Sequence, residues 1–157
     1  MKLDASLLFA SLALLACEAE RSDVAGTWRF DLDASDVAPR IREQCAKTAD
    51  PTACWNEIAA EAKLEKVRFS ETDATGHATW TSFAADPKGD VVFVRVPVDL
   101  VADGAGHVLA KVAGAPTGTQ AEHFAKGKIS QLRVELVDAK TIAIDDPKKG
   151  RLVYAKE

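Results

Sequence analysis

Aromatic side chains are scarce in this chain: one Tyr, three Trp and six Phe make up 6% of its 157 residues. An interior stacked mainly from rings is therefore excluded, and the core must be filled by aliphatic side chains around a few large anchors. A surplus of positive charge is missing as well. Lys and Arg number 20 against 24 Asp and Glu, a net charge of -4. No basic block is present to neutralise a run of phosphates, which excludes nucleic acid as a partner. The longest apolar run, Ala5 to Ala16, would reach roughly 18 Å as a helix, short of the ~30 Å hydrocarbon layer of a membrane. The length suits one domain with one core.

Motifs that carry chemistry are equally thin. His77, His107 and His123 lie far apart, each beside a turn, and no Cys-x-x-Cys spacing occurs, so a zinc or reactive-thiol site has no support. Asp31, Asp33 and Asp36 form an acidic cluster. As a calcium loop it fails, because Asp36 stands where the turn glycine belongs and Arg42 where the bidentate Glu belongs. Ser70, Ser82 and Ser130 lie outside any nucleophile-elbow pattern. No catalytic residue, metal ligand or cofactor is assigned. The charged turn from Asp145 to Gly150 reads as a water-facing connection.

What is present begins at the N-terminus. Lys2 precedes the apolar run, which ends in Leu14-Leu15-Ala16-Cys17 and is followed at once by polar residues, Glu18, Glu20, Arg21, Ser22 and Asp23. A run of this length reads as the core of a secretion signal. Leu14 to Cys17 resembles the lipobox of bacterial lipoproteins, although Asp4 offsets Lys2 in the segment that is usually basic. The resemblance implies a signal peptide over residues 1–16 that is removed, a diacylglycerol and fatty-acid (palmitate) anchor on Cys17, a tether over 17–23 and a folded domain over 24–157. It places the protein in the cell envelope, on the inner or outer membrane, facing the periplasm or the cell surface.

With Cys17 acylated, Cys45 and Cys54 remain as an even pair in an oxidising compartment, and a disulfide between them is expected. Between them Asp50 suits a helix N-cap and Pro51 the first turn that follows. Two short helices are predicted, about Asp36 to Lys47 and Pro51 to Leu64, inside an insertion spanning residues 35–65. Ser35 or Asp36 is expected to cap the first. Ile41 and Cys45 share one helical face, and Cys54, Ile58 and Ala62 share another.

The rest alternates as strands. Val24 to Leu32 puts Trp28, Phe30 and Leu32 on one face. Val67 and Phe69 point inward from the next strand, followed by Ala78 and Trp80, with a parity change before Phe83 that predicts a bulge. Val91 to Leu100 alternates through Val92, Val94, Val96, Val98 and Leu100, and Pro97 marks an edge, bulge or bend. Val108, Ala110 and Val112 follow, and then, after an irregular stretch over 113–130, Leu132, Val134 and Leu136, Thr141 to Ile144 and Arg151 to Ala155. Eight antiparallel strands joined by short turns are expected to close into a barrel or half-barrel, because closure removes exposed edges.

Gly26-Thr27-Trp28-Arg29-Phe30-Asp31, together with a meander ending in Gly150-Arg151-Leu152-Val153-Tyr154-Ala155-Lys156, resembles the small lipocalin-like lipoproteins of Gram-negative bacteria. Two features depart from that pattern: the stapled helical insertion after the first strand, and no helix after the last. The resemblance implies a lipocalin-like barrel whose Trp28 packs across a closed end and whose mouth holds one small apolar ligand. Trp28, Phe30, Phe69 and Trp80 line either that cavity or a solid core, and the small residues of the long strands favour filling. Trp55 serves as a lid over the mouth or as glue between hairpin and sheet. The expectation is a non-enzymatic, lipid-anchored binding or interaction module whose partners are the membrane, through its lipid, and a small hydrophobic ligand or an envelope protein. The alternative is a structural or assembly accessory lipoprotein with a filled barrel.

Overall fold

The computed structural model of the chain describes residues 23–104, 106–124 and 128–157. The expected leader, Cys17 and all but the last residue of the tether lie outside the described residues. Eight strands appear in order: β1 (Gly26–Asp31), β2 (Glu65–Phe69), β3 (His77–Ala84), β4 (Val91–Ala102), β5 (His107–Val112), β6 (Gln131–Asp138), β7 (Thr141–Asp146) and β8 (Gly150–Lys156). Each pairs antiparallel with its neighbour in sequence, and β8 returns to β1, so the sheet is a closed barrel. Two helices follow β1, α1 (Ala38–Cys45) and α2 (Pro51–Ala62), joined by the Cys45–Cys54 disulfide.

Alternation decides the interior. Trp28, Val67, Phe69, Trp80, Val94, Val96, Val98, Leu100, Val108, Ala110, Leu132, Val134, Ile142, Ile144, Leu152 and Tyr154 are all buried in one core cluster. Their odd-numbered or even-numbered neighbours, among them Arg29, Arg68, Arg95, Lys111 and Arg133, are exposed. A polar exterior around an apolar interior is the reverse of a membrane-spanning barrel and suits a barrel bathed in water. An eight-stranded barrel is just narrow enough to be filled by such side chains.

The register shifts between Ser82 and Phe83, where a bulge was expected. The shift is against β4 only. Against β2 the pairing runs on, with Ser82 opposite Val67 and Phe83 opposite Lys66. Phe83 is therefore on the outer face, where the Arg68 guanidinium lies 4.8 Å from its ring centre. Pro97 sits where the β4–β5 ladder is interrupted: its carbonyl accepts from Ala113, and regular pairing resumes at Val98 with Val112. Beyond the interruption the irregular segment returns to β4 at Thr117, which exchanges two hydrogen bonds with Arg95. Gly118 (φ +108°) fits there because a Cβ would stand 2.5 Å from the Phe93 carbonyl oxygen. A short 3-10 turn over Ala121–His123 then delivers Phe124 onto Trp80.

The first helix corrects the sequence expectation. It runs from Ala38 to Cys45, shorter than the predicted 36–47, and its N-cap position is Val37 with no side-chain cap. Ser35 and Asp36 are used elsewhere. The Ser35 hydroxyl donates to the Asp31 carbonyl and accepts the Val153 N–H at 2.8 Å, and the Asp36 carboxylate accepts the Arg151 N–H at 2.8 Å. Both residues thus fasten the start of the insertion to β8, which a local capping rule cannot anticipate. Gly150 (φ +81°) is part of the same clasp, since a Cβ there would meet the Asp36 carboxylate at 2.8 Å. At α2 the expectation holds: Asp50 caps by accepting the Ala53 N–H at 2.9 Å, Pro51 follows, and the helix ends at Ala62, two residues before the predicted Leu64.

Candidate functional site

The barrel has two unlike ends. At the first, β1 begins, β8 finishes, and the β2–β3, β4–β5 and β6–β7 turns gather. Trp28 closes this end from inside: it has no exposed surface, and its indole N–H donates 2.9 Å to the carbonyl of Val24, itself fully buried. The Lys156 ammonium stands 5.0 Å from the Trp28 ring centre, a favourable cation–π position. On the outer face nearby, His77 contacts the Asp99 carboxylate. The Asp73 carboxyl is held below its usual range by hydrogen bonds from the Thr75 hydroxyl and the His77 backbone, so it stays charged.

At the opposite end β1 runs out into the insertion, and α1 and α2 lie over the mouth. Leu32, Val37, Ala38 and Ala62 join the core cluster, with Ile41, Trp55, Ile58 and Ala59 packed against it. Phe30 meets Tyr154 with ring centres 5.4 Å apart. Burial pushes the Tyr154 hydroxyl pKa well up, and the carboxylates of Glu65 and Asp146 push the same way, so the phenol stays neutral. Glu65 begins β2 at this rim. The residue keeps exposed surface, yet its carboxyl is crowded closely enough for desolvation to raise its pKa, with Lys149 pulling down and Glu61 up.

The outer surface of the hairpin carries a composite feature. Arg42 stacks over Trp55, 3.6 Å from the ring centre, and its guanidinium also bonds the Asp33 carboxylate at 2.5 Å. Beside it is a hollow of about 250 Å³ whose walls include Trp55, Pro51 and the disulfide's Cys45. A second hollow, about 320 Å³, lies between β1 and α2, with Phe30 and Ala62 in its walls and Arg29 and Lys63 at its margin. The first hollow is on the hairpin itself, and the second is at the barrel mouth, where Phe30 and Leu32 meet Ala59 and Ala62 of α2.

Of the residues singled out from sequence, Trp28, Phe69 and Trp80 are buried in the interior, Phe30 is half-buried beneath the hairpin, and Trp55 packs the hairpin onto the core. They do not form one site: Trp28 is at one end, Phe30 and Trp55 at the other. The acidic cluster is dispersed into structural roles. Asp31 accepts the Ala34 N–H, Asp33 pairs with Arg42, and Asp36 holds β8. Among the described residues no group of three His, Cys, Asp or Glu is disposed to hold a metal ion. The Ser70 hydroxyl is engaged by the Glu71 carbonyl and the Thr79 N–H. Sequence reading missed Phe124, Tyr154 and Arg42. Phe124 had a signal, as one of two large apolar residues, with Ile129, in the otherwise small and polar stretch over 113–130. Tyr154 shares the strand face of Leu152 and was legible by alternation.

Fold and surface together define a closed, up-and-down, eight-stranded barrel with a stapled helical cover over one end. No family model, curated protein or solved structure matches the chain.

Proposed function

We propose that this protein is a lipid-anchored, non-enzymatic interaction module of the bacterial cell envelope that meets an envelope partner through the hairpin side of a filled barrel. The observation that carries this reading is the packing. Every strand contributes buried side chains to one core, and a covalently stapled hairpin covers the mouth. A barrel occupied by its own side chains acts through its surface. The hairpin surface supplies the residue types that dominate protein interfaces, a Trp and an Arg in contact, beside a hollow that fits a partner's side chain. Support for the anchor comes from the Lys2-to-Cys17 pattern and from a disulfide, which needs an oxidising compartment.

Mass measurement on protein purified from bacterial membranes tests both parts. The expected mature chain begins at Cys17 with added diacylglycerol and acyl mass, has Cys45 and Cys54 oxidised, and under native conditions carries no small molecule. In-cell cross-linking of the full chain should give one defined adduct that is lost in the double variant Trp55→Ala, Arg42→Ala, while an adduct unaffected by it moves the contact elsewhere on the surface. A second reading, a small ligand held inside, is favoured by one observation: the Trp80 indole N–H is buried without a hydrogen-bond partner. A stoichiometric small molecule retained by wild type and lost in Trp80→Phe would establish that reading instead.

A further inference from the structure

The position of Val24 fixes more than the closure of one end. It is the point at which the N-terminal segment meets the barrel, and its carbonyl is held by the Trp28 indole inside the closed end. The hairpin follows β1 and so occupies the opposite end. We infer that the anchored protein stands on its closed end, which faces the membrane, and presents the helical hairpin as its membrane-distal face. This rests on the proposal that Cys17 carries the lipid.

Lengths decide between the possible attitudes. Fully extended, the chain from Cys17 to Val24 reaches at most about 25 Å. The longest strand, β4, has 12 residues. At roughly 3.3 Å per residue and a tilt near 40°, the barrel is about 30 Å tall. The hairpin adds about one helix diameter, ~10 Å. On the β1 side, where the strand has 6 residues and rises about 15 Å, an inverted barrel would hold Val24 about 25 Å from the membrane, the full reach of a completely extended tether. Inversion therefore demands a fully stretched tether, whose lost conformational freedom opposes it, whereas the upright attitude leaves the tether slack.

Charge opposes the remaining alternative, a barrel pressed close against the lipid. The closed end carries Asp23, Glu71, Asp73, Asp103, Asp138 and Glu157 against Lys140 and Lys156, with Arg133 paired to Asp103 and Lys66 to Glu157, so acidic groups remain in excess. Facing anionic headgroups, such a rim is repelled within a Debye length, about 8 Å at physiological salt. The barrel is thus held off the surface but not released from it. The geometry also selects the partner: whatever docks at Trp55 and Arg42 approaches from the aqueous space or from a facing surface, not from the leaflet that holds the anchor.

Energy transfer in vesicles tests the orientation on the full lipidated chain. With Cys17 acylated and Cys45–Cys54 oxidised, an introduced cysteine is the free thiol to be labelled. One donor goes on Lys140→Cys in the β6–β7 turn at the closed end. The other goes on Lys88→Cys in the β3–β4 turn at the hairpin end. Vesicles of zwitterionic and anionic phospholipid carry an acceptor on the headgroup. The expected result is transfer at least about twofold greater from position 140 than from position 88, given the ~30 Å separation of the ends. Equal transfer, or more from position 88, overturns the orientation. Cys17→Ser should abolish transfer from both positions. Transfer that survives it, or none from either position in the Cys17-bearing protein, overturns the anchoring reading instead.

Discussion

The two ends of this barrel are closed by different means. At the membrane-proximal end of the proposed arrangement, the closing residue is part of the sheet: Trp28 belongs to β1, and its hydrogen bond reaches back only to Val24. At the other end the cover is a separate hairpin, fastened by a disulfide, by Ser35 and Asp36 on β8, and by apolar contacts from Leu32, Val37, Ala38 and Ala62. The first closure cannot be lost without losing the sheet. The second is an attachment, and its loosening need not unfold the barrel.

That contrast is open to direct attack. Trp28→Ala should cost about 3–5 kcal/mol, the range for removing a large buried aromatic, and should shift the whole urea transition, because the cavity opens inside the shared core. An effect under ~1 kcal/mol would place the closed end outside the cooperative unit. Opening the disulfide with Cys54→Ser should cost roughly 2.5 kcal/mol on chain-entropy grounds for a bridge with a sequence separation of 9. Hydrogen exchange should then rise in α1 and α2 well before β4 to β7, and uniform acceleration would remove the distinction between the ends.

Ser35→Ala removes the acceptor for the buried Val153 N–H and should cost about 1–3 kcal/mol. Its loss should be smaller when the hairpin is already loosened by Cys54→Ser, a coupling read from the double variant. The smallest effect is at the mouth. The Glu65 pKa is raised in the fold, so its protonated form favours folding: the contribution is fully present below the unfolded value near 4.5 and is lost as pH rises through the folded pKa. Glu65→Gln should therefore be more stabilising, relative to wild type, at pH 7 than at pH 4. Urea midpoints at the two pH values give the sign, and an equal difference at both would mean that the hairpin does not desolvate this carboxyl.

Much of the barrel was legible because strand faces follow a period of two. Val94, Val96, Val98 and Leu100 declare their face by spacing alone, and the bulge at Ser82–Phe83 left a visible break in parity. What parity did not tell is which neighbour the shift is against: it occurs against β4, and Phe83 is buried on the outer face beneath Arg68. Of the surface feature at the hairpin only Trp55 was visible in sequence. Arg42 joins it because α1 and α2 fold back on each other, and nothing in the residues around Arg42 announces that contact.

Asp50 and Pro51 show what local chemistry alone can decide: a cap and a first turn satisfy backbone groups within a few residues, so the start of α2 could be read directly. Ser35 and Asp36 show where that stops. Either suits a helix start by composition, but β8 offers two N–H groups that need acceptors, the buried one of Val153 and the exposed one of Arg151, and a partner more than a hundred residues away wins over one three residues away. Closure of the sheet belongs with them, since β1 finds β8 only when every intervening strand has taken its register. Sequence determined which side chains face inward and where the chain turns, both short-range consequences of backbone geometry. Tertiary structure decided that the sheet closes, that its interior is packed, and that the hairpin covers the end away from Val24, because those depend on pairings that no local pattern encodes.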